Sequence, residues 1–171
     1  MTAIRPLIFI LLAATLSACG FHLRGTYHIP DTLHTLALDI PGNSRLEAPL
    51  RNRLRVAHID TSSGDYTLKV IKEKLSKQTT NTDSRAKAAE YTFLYELHYE
   101  LHNREGKAVS PEYKLLLRRS YQYDTTAIVG KSEEEETLLT ELYQEAAHQI
   151  VQRLGFFKPL PTQPAAQGNQ P

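Results

Sequence analysis

The sequence predicts an α+β fold: a two-layer sandwich of two helices packed on one face of a four-stranded mixed β-sheet, in the order β-α-β-β-β-α. Three observations predict it. Residues 91–101 alternate apolar and polar, the period of a half-buried strand. Two segments, 46–57 and 138–154, each carry a single apolar stripe at helical spacing. Short polar turns separate the three later strand segments, whereas a helix separates the first strand from the second. The later strands therefore form an antiparallel meander, and the first joins through a helical crossover. A helix with one stripe has one face to bury, so both helices lie on the same side of the sheet.

The elements follow in order. Gly20, Gly25, Pro30 and Asp31, with Phe21, Leu23, Tyr27 and Ile29 between them, make residues 20–33 an extended lead-in. Leu36, Leu38 and Ile40 alternate in a short strand, stopped by Pro41-Gly42-Asn43. Leu46, Leu50, Leu54 and Ala57 mark the first helix. Ser44 and Glu47 have capping-box spacing, but Pro49 would then cost a hydrogen bond inside the first turn, which moves the start towards residue 47. Thr61 to Asp65 is a loop. Tyr66 to about Thr79 is a strand of mixed phase: Tyr66, Leu68 and Val70 share one face, Ile71 and Leu75 the other. A bulge near residue 70 accounts for that shift.

Asn81 to Lys87 is a polar turn. Tyr91, Phe93, Tyr95, Leu97, Tyr99 and Leu101 then form one face of a long strand, with only Leu94 breaking the alternation. Asn103 to Lys107 is a hairpin turn. Tyr113, Leu115, Leu117, Tyr121 and Tyr123 give the last strand its inward face, interrupted by Arg119. Ser132 and Glu135 have capping-box spacing at the start of the last helix, and Glu133 to Glu136 suit its positive end. Leu138, Leu142, Ala146, Ile150 and Leu154 form its stripe, Leu139, Tyr143 and Val151 widen it, and Gly155 is placed for a C-cap. Residues 158–171 are rich in Pro, Gln and Ala with little to bury and are expected to be disordered. The uncovered sheet face carries Lys69, Glu96, His98, Glu100, Lys114 and Arg118.

The N-terminus has its own logic. Arg5 precedes an apolar run, Leu7 to Leu16, too short for the ~20 residues a membrane span needs. It has the layout of a signal peptide. Leu16-Ser17-Ala18-Cys19 follows, and it holds the only cysteine of the chain. This resembles the lipobox of bacterial lipoproteins. The resemblance implies cleavage before Cys19, a diacylglycerol on its thiol and an acyl chain on the new amine. Those chains meet the two-signal requirement for stable anchoring. Gly20, where Asp would resemble an inner-membrane retention signal, leans towards the outer membrane. The chain thus divides into a signal peptide (1–18), a lipidated lead-in (19–33), an α+β domain (34–157) and a tail (158–171).

Cleavage removes Arg5 and no acid, which leaves basic and acidic residues equal in number. Neutrality argues against nucleic acid as a partner. With one cysteine there is no intrachain disulfide. Enzyme chemistry finds little support. His98 and His102 share a strand face but lie ~13 Å apart, too far to bind one metal together. HExxH, G-x-S-x-G and P-loop patterns are absent. No cofactor is expected beyond the lipid on Cys19.

Past the lipobox stands Cys19-Gly20-Phe21-His22-Leu23-Arg24-Gly25. It resembles the opening of the LptE (RlpB) family of lipopolysaccharide-assembly lipoproteins. The resemblance continues through Arg51-Asn52-x-Leu54, Ala89-Glu90-Tyr91, Arg119-Ser120-Tyr121 and Glu141-Leu142-Tyr143 with Ala146-Ala147. It implies a non-enzymatic protein of two helices and four strands. It also implies a plug and assembly partner, in a 1:1 complex, for the outer-membrane β-barrel LptD, and binding of lipopolysaccharide. The family's basic residues before the long strand and before the last helix correspond to Arg85 and Lys131. Phosphates of lipopolysaccharide need such cations. Lys87 and Arg118 join them as candidates.

Lys131 stands where a cation opposes the helix dipole, so helix stability alone would not select it. Neutralising Glu133 to Glu136 is the competing account, as solvated charge is for Arg85. Arg118 and Arg119 are adjacent in a strand and so point to opposite faces. Arg119, with Tyr121, pairs with a helix carboxylate or meets the partner barrel. The alternative to the barrel plug is a lipid-anchored periplasmic adaptor for another envelope complex. A lead-in of about a dozen residues, at ~3.3 Å each, reaches only ~40 Å from the leaflet, which suits a partner in the same membrane.

Overall fold

In the computed structural model, residues 29–82, 88–122 and 131–160 are described. A single 3-10 turn, Asp31–Leu33, leads into β1 (Leu36–Asp39), α1 (Glu47–Val56), β2 (Tyr66–Thr82), β3 (Ala88–Asn103), β4 (Tyr113–Gln122) and α2 (Lys131–Leu154). The sheet order is β1-β2-β3-β4, with β1 parallel to β2 and the rest antiparallel. The β-α-β-β-β-α order and the mixed sheet are as the sequence predicts.

The apolar periodicities become the core. Leu46, Leu50 and Leu54 of the α1 segment and Leu142, Ala146, Ile150 and Leu154 of α2 are buried, and Tyr95, Leu97, Tyr99 and Leu101 meet them from β3. The α1 helix starts at Glu47, where Pro49 is its third residue and its missing N–H costs nothing. Asp31 to Leu33 departs from the extended lead-in: it is a 3-10 turn, and Leu33 is fully buried.

The bulge in β2 decides which side chains face the helices. Val70 pairs with Tyr99 and Lys72 with His98, consecutive residues of β3, so Ile71 is the extra residue. It is 48% exposed and sits outside the ladder. Beyond it, Glu73, Leu75, Lys77 and Thr79 lie opposite Leu97, Tyr95, Phe93 and Tyr91, on the helix side. Leu75 is therefore not on the face opposite Val70, because the bulge restores the phase.

One further departure concerns a strand end. β2 continues to Thr82, through residues expected to turn, because its backbone pairs with Glu90 and Ala88 whatever the side chains are. β1 pairs only with Tyr66–Lys69, so most of β2 has a free edge, guarded by Lys72, Lys74 and Lys77 and by the bulge. Gly64 passes under β1: a Cβ there would lie 2.8 Å from the Thr35 carbonyl carbon and oxygen. At the other hairpin Gly106 takes φ +75°, the left-handed conformation that the Asn103–Lys107 turn requires.

Candidate functional site

Three chain segments converge at the far end of the sheet: the ends of β2 and β3 around Thr82 and Ala88, the end of β4 at Gln122, and the start of α2 at Lys131. Two cross-strand rows line the helix side there. One runs Lys77, Phe93, Arg119; the next runs Thr79, Tyr91, Tyr121. Side chains on one face of adjacent strands stand close enough to act as a unit.

The Lys77 ammonium lies 4.4 Å from the Tyr91 ring centroid, 5.4 Å from Tyr121 and 5.7 Å from Phe93. Tyr121 stacks on both Tyr91 and Phe93, at 5.7 and 5.8 Å. Above this aromatic box, Glu135 of α2 accepts a hydrogen bond from Lys77 at 2.6 Å and another from the Tyr121 hydroxyl. Burial alone would lower the Lys77 pKa, but Glu135 and the Tyr121 hydroxyl outweigh it and hold it above the ordinary value. Burial would raise that of Glu135, yet the hydrogen bonds from Lys77 and Tyr121 hold it below the usual carboxylate value. Burial, then the Glu135 contact, pushes Tyr121 up to about 12. A second link lies alongside: Arg45, ahead of α1, donates to Glu136 at 2.6 Å and stands 5.5 Å from the Tyr143 ring centroid.

Glu135 thus does not serve in the expected capping box. The helix begins at Lys131, which puts Ser132 inside it, and the Glu135 carboxylate reaches down to the sheet instead. Tyr121, a candidate for the partner surface, is 5% exposed, with its hydroxyl held by Glu135, and belongs to the interior. Arg119 faces the helix side, as the alternation requires. The Glu135 carboxylate above these rows is engaged by Lys77, and among the described residues Arg119 has no carboxylate partner. Its guanidinium donates to the Arg118 carbonyl at 3.2 Å. Arg118 is exposed on the opposite face, across from Leu94. Lys131 is the first residue of α2. Cys19, Arg85 and Lys87 lie outside the described residues.

Lys77 and Glu135 escaped the sequence reading. The signal for Lys77 was its spacing from Leu75, two residues on and so on the same face, once the bulge had been placed. Nothing local distinguishes Glu135 from Glu133, Glu134 and Glu136.

The opposite sheet face is polar. Lys72 bonds Glu96 at 2.7 Å, and His98 sits between Glu96 and Glu112. His102 meets Glu100 at 2.9 Å. Nearer the far end, Thr80, Thr92 and Ser120 form a hydroxyl row across three strands. These contacts account for the imidazoles as members of hydrogen-bond networks along β3, and among the described residues no group of His, Cys, Asp and Glu could hold a metal.

The family model for LptE, lipopolysaccharide-assembly, matches residues 33–154. The LPS-assembly lipoprotein LptE of Pectobacterium atrosepticum is 28% identical over 144 residues, covering 81% of this chain and 77% of its own. That of Photorhabdus laumondii is 28% identical over 145 residues, covering 81% and 78%. Among solved structures, the rare lipoprotein B of Shewanella oneidensis has a TM-score of 0.61 at 26% identity, over 71% of this chain and 94% of its own. A minor lipoprotein from Acinetobacter baumannii shares the fold, with a TM-score of 0.68 at 22% identity over 79% of this chain and all of its own.

Proposed function

This chain belongs to the LptE lipopolysaccharide-assembly family, a family of assembly lipoproteins and not of enzymes, and from that membership we propose how it works. It is acylated at Cys19 and held on the periplasmic side of the outer membrane. There it plugs the LptD β-barrel in a 1:1 complex and binds lipopolysaccharide as the barrel inserts it. Arg85, Lys87, Lys131 and Arg118 supply cations for the phosphates. Arg119 faces the barrel, and Tyr121 contributes from within by holding the aromatic box.

The observation that carries this reading is the convergence at the far end of the sheet. The segment with Arg85 and Lys87 leaves from Thr82 and returns at Ala88, and Lys131 opens α2. The Lys77–Glu135 pair binds β2 to the first turns of α2, so the two cationic segments depart from one rigid platform. Arg119 adds a cation with no carboxylate partner among the described residues. A phosphorylated glycolipid needs several cations on one surface, and segments that carry them leave the domain at this end.

The test is purification of the native lipoprotein from detergent-solubilised outer membranes. The proposal expects a large β-barrel protein in near-equal amount; its absence would leave a scaffold for another complex. In the same preparation, Arg85→Glu with Lys131→Glu should weaken lipopolysaccharide capture at least about tenfold, the loss of two charge-assisted contacts, without changing the circular dichroism. Undiminished capture removes both residues from the site.

A further inference from the structure

The two edges of the sheet are protected to different degrees. β1 is four residues long, and beyond it the edge of β2 carries lysines and a bulge. β4, at the other edge, runs for ten residues, Tyr113–Gln122. It holds no proline, pairs with β3 without a register shift, and has no strand on its outer side among the described residues. At ~3.3 Å per residue it offers roughly 33 Å of open edge. Such an edge is a template for another strand.

The hydrogen bonds fix which backbone groups this edge presents. Leu101 of β3 donates its N–H to the Ser110 hydroxyl, and its carbonyl accepts from Val109; both lie in the connection that leads into β4. The Leu94 and Glu90 carbonyls accept from Ser76 and Thr80 of β2. Backbone groups alternate sides along a strand, so the odd-numbered residues of this part of β3 bond to β4, and their partners, Tyr113 to Tyr121, are odd-numbered too. The N–H and carbonyl groups of Lys114, Leu116, Arg118 and Ser120 therefore point to the open edge. There the Arg118 carbonyl accepts from the guanidinium of the next residue, Arg119, at 3.2 Å, a side-chain cap in place of a strand.

Beside the first half of β4, on the helix side, the sheet and the second half of α2 enclose a groove of about 650 Å³ lined by Tyr99, Tyr113, Leu115 and Ile150. The two tyrosine rings stand 5.3 Å apart, and the Arg153 guanidinium lies 5.0 Å from the Tyr113 ring centroid. Phe156, 85% exposed, borders the groove. Its charges are mixed, Lys114 and Arg153 with Glu145, which does not select a polyanion. A strand added to β4 places alternate side chains beside Tyr113 and Leu115, and so into this groove, where apolar ones cover Phe156. We propose that β4 is completed by a fifth strand: an extended segment of the partner barrel protein, with apolar side chains towards α2 and a carboxylate at Arg119. In a 1:1 plug the segment that can reach this edge belongs to the barrel. The wall strands of a barrel are paired on both sides, so the segment comes from a loop or extension turned into the lumen. Arg119 then yields the Arg118 carbonyl to the ladder and takes the carboxylate it lacks among the described residues. The inference rests on the plug reading above and adds to it the edge by which the plug is held.

Leu116→Pro tests it. Leu116 is 62% exposed and its N–H points outwards, so a proline there removes an edge donor and leaves the ladder to β3 intact. The full lipidated protein is purified from detergent-solubilised outer membranes. Leu116→Pro should keep the wild-type circular dichroism and carry at least about tenfold less barrel protein, whereas Leu116→Ala, which keeps the N–H, carries as much as the wild type. Hydrogen exchange gives a second reading: in the wild-type complex the amides of Lys114, Leu116, Arg118 and Ser120 should exchange at least about tenfold more slowly than in the lipoprotein alone. If Leu116→Pro fails to fold, the exchange measurement decides. Full retention of the barrel by a folded Leu116→Pro variant, or edge amides as fast in the complex as outside it, overturns the inference while the plug reading stands. A wild-type preparation without the barrel overturns both. Edge amides already slow in the lipoprotein alone overturn the inference too: the occupant is then a second copy if the protein is a dimer, and a segment of this chain if it is a monomer.

Discussion

Replacing Lys77 with Met and Glu135 with Gln, singly and together, isolates the contact that joins α2 to the long hairpin. The pair is hydrogen-bonded at 2.6 Å, with side chains 36% and 28% exposed. Hydrogen bonds to charged groups contribute about 1.5–3 kcal/mol when shielded, and exposed ion pairs about 0.2–1 kcal/mol. The partial exposure places this pair between the two. We expect a coupling of about 1 kcal/mol from a double-mutant cycle in urea at neutral pH.

The pH dependence follows from the two shifts. The Glu135 pKa is lowered on folding, so its share of stability is present above the ordinary carboxylate value and lost as pH falls through the lowered one. The Lys77 pKa is raised, so its share is present below the ordinary lysine value and is lost as pH rises through the raised one. The coupling should be flat from about pH 5 to pH 9 and decline on both sides, provided the unfolded chain titrates ordinarily. A coupling under about 0.3 kcal/mol at pH 7, or one as large at pH 3 as at pH 7, would refute the assignment of this pair as the clasp.

Other outcomes follow from the fold. Gly64→Ala drives a Cβ into the Thr35 backbone and should cost about 1–3 kcal/mol in thermal or urea unfolding, although the residue takes no part in the core. Deleting Ile71 should cost roughly 1 kcal/mol or less and leave the circular dichroism unchanged. Val70 and Lys72 already pair with consecutive residues of β3, so removing the bulge keeps Leu75 and Lys77 on the helix side. Leu142→Ala empties a fully buried site between helix and sheet and should cost about 2–5 kcal/mol.

The parts legible in the sequence are those where side-chain period and burial coincide. The alternation from Tyr91 to Leu101 and the stripes of α1 and α2 follow directly from which face meets the core. Pro49 set the start of α1 correctly because a proline without an N–H has few places in a helix. The mixed phase of Tyr66 to Leu75 revealed the bulge but not which residue was extra, since both phases bury apolar groups. β2 ran past Thr79 because backbone pairing with β3 needs no apolar side chain.

The candidate site was less legible, for a related reason. A capping box is a local pattern, and Ser132 to Glu135 satisfied it. The Glu135 carboxylate instead went to Lys77, 58 residues away in sequence. Tyr121 lies in an inward-facing series and is buried by it, although its neighbour Arg119 suggested an edge.

The central claim is that lipopolysaccharide meets the far end of this domain and not the opposite end, past the last residue of α2 around Phe156 and Leu160. Photoreactive residues placed singly along 80–88 and 118–132, and at 156 and 160, test it in intact cells. The account predicts lipopolysaccharide adducts from the first two stretches and none from the last two positions. Lipopolysaccharide captured only at residues 156 and 160, with none at the far end, would contradict it.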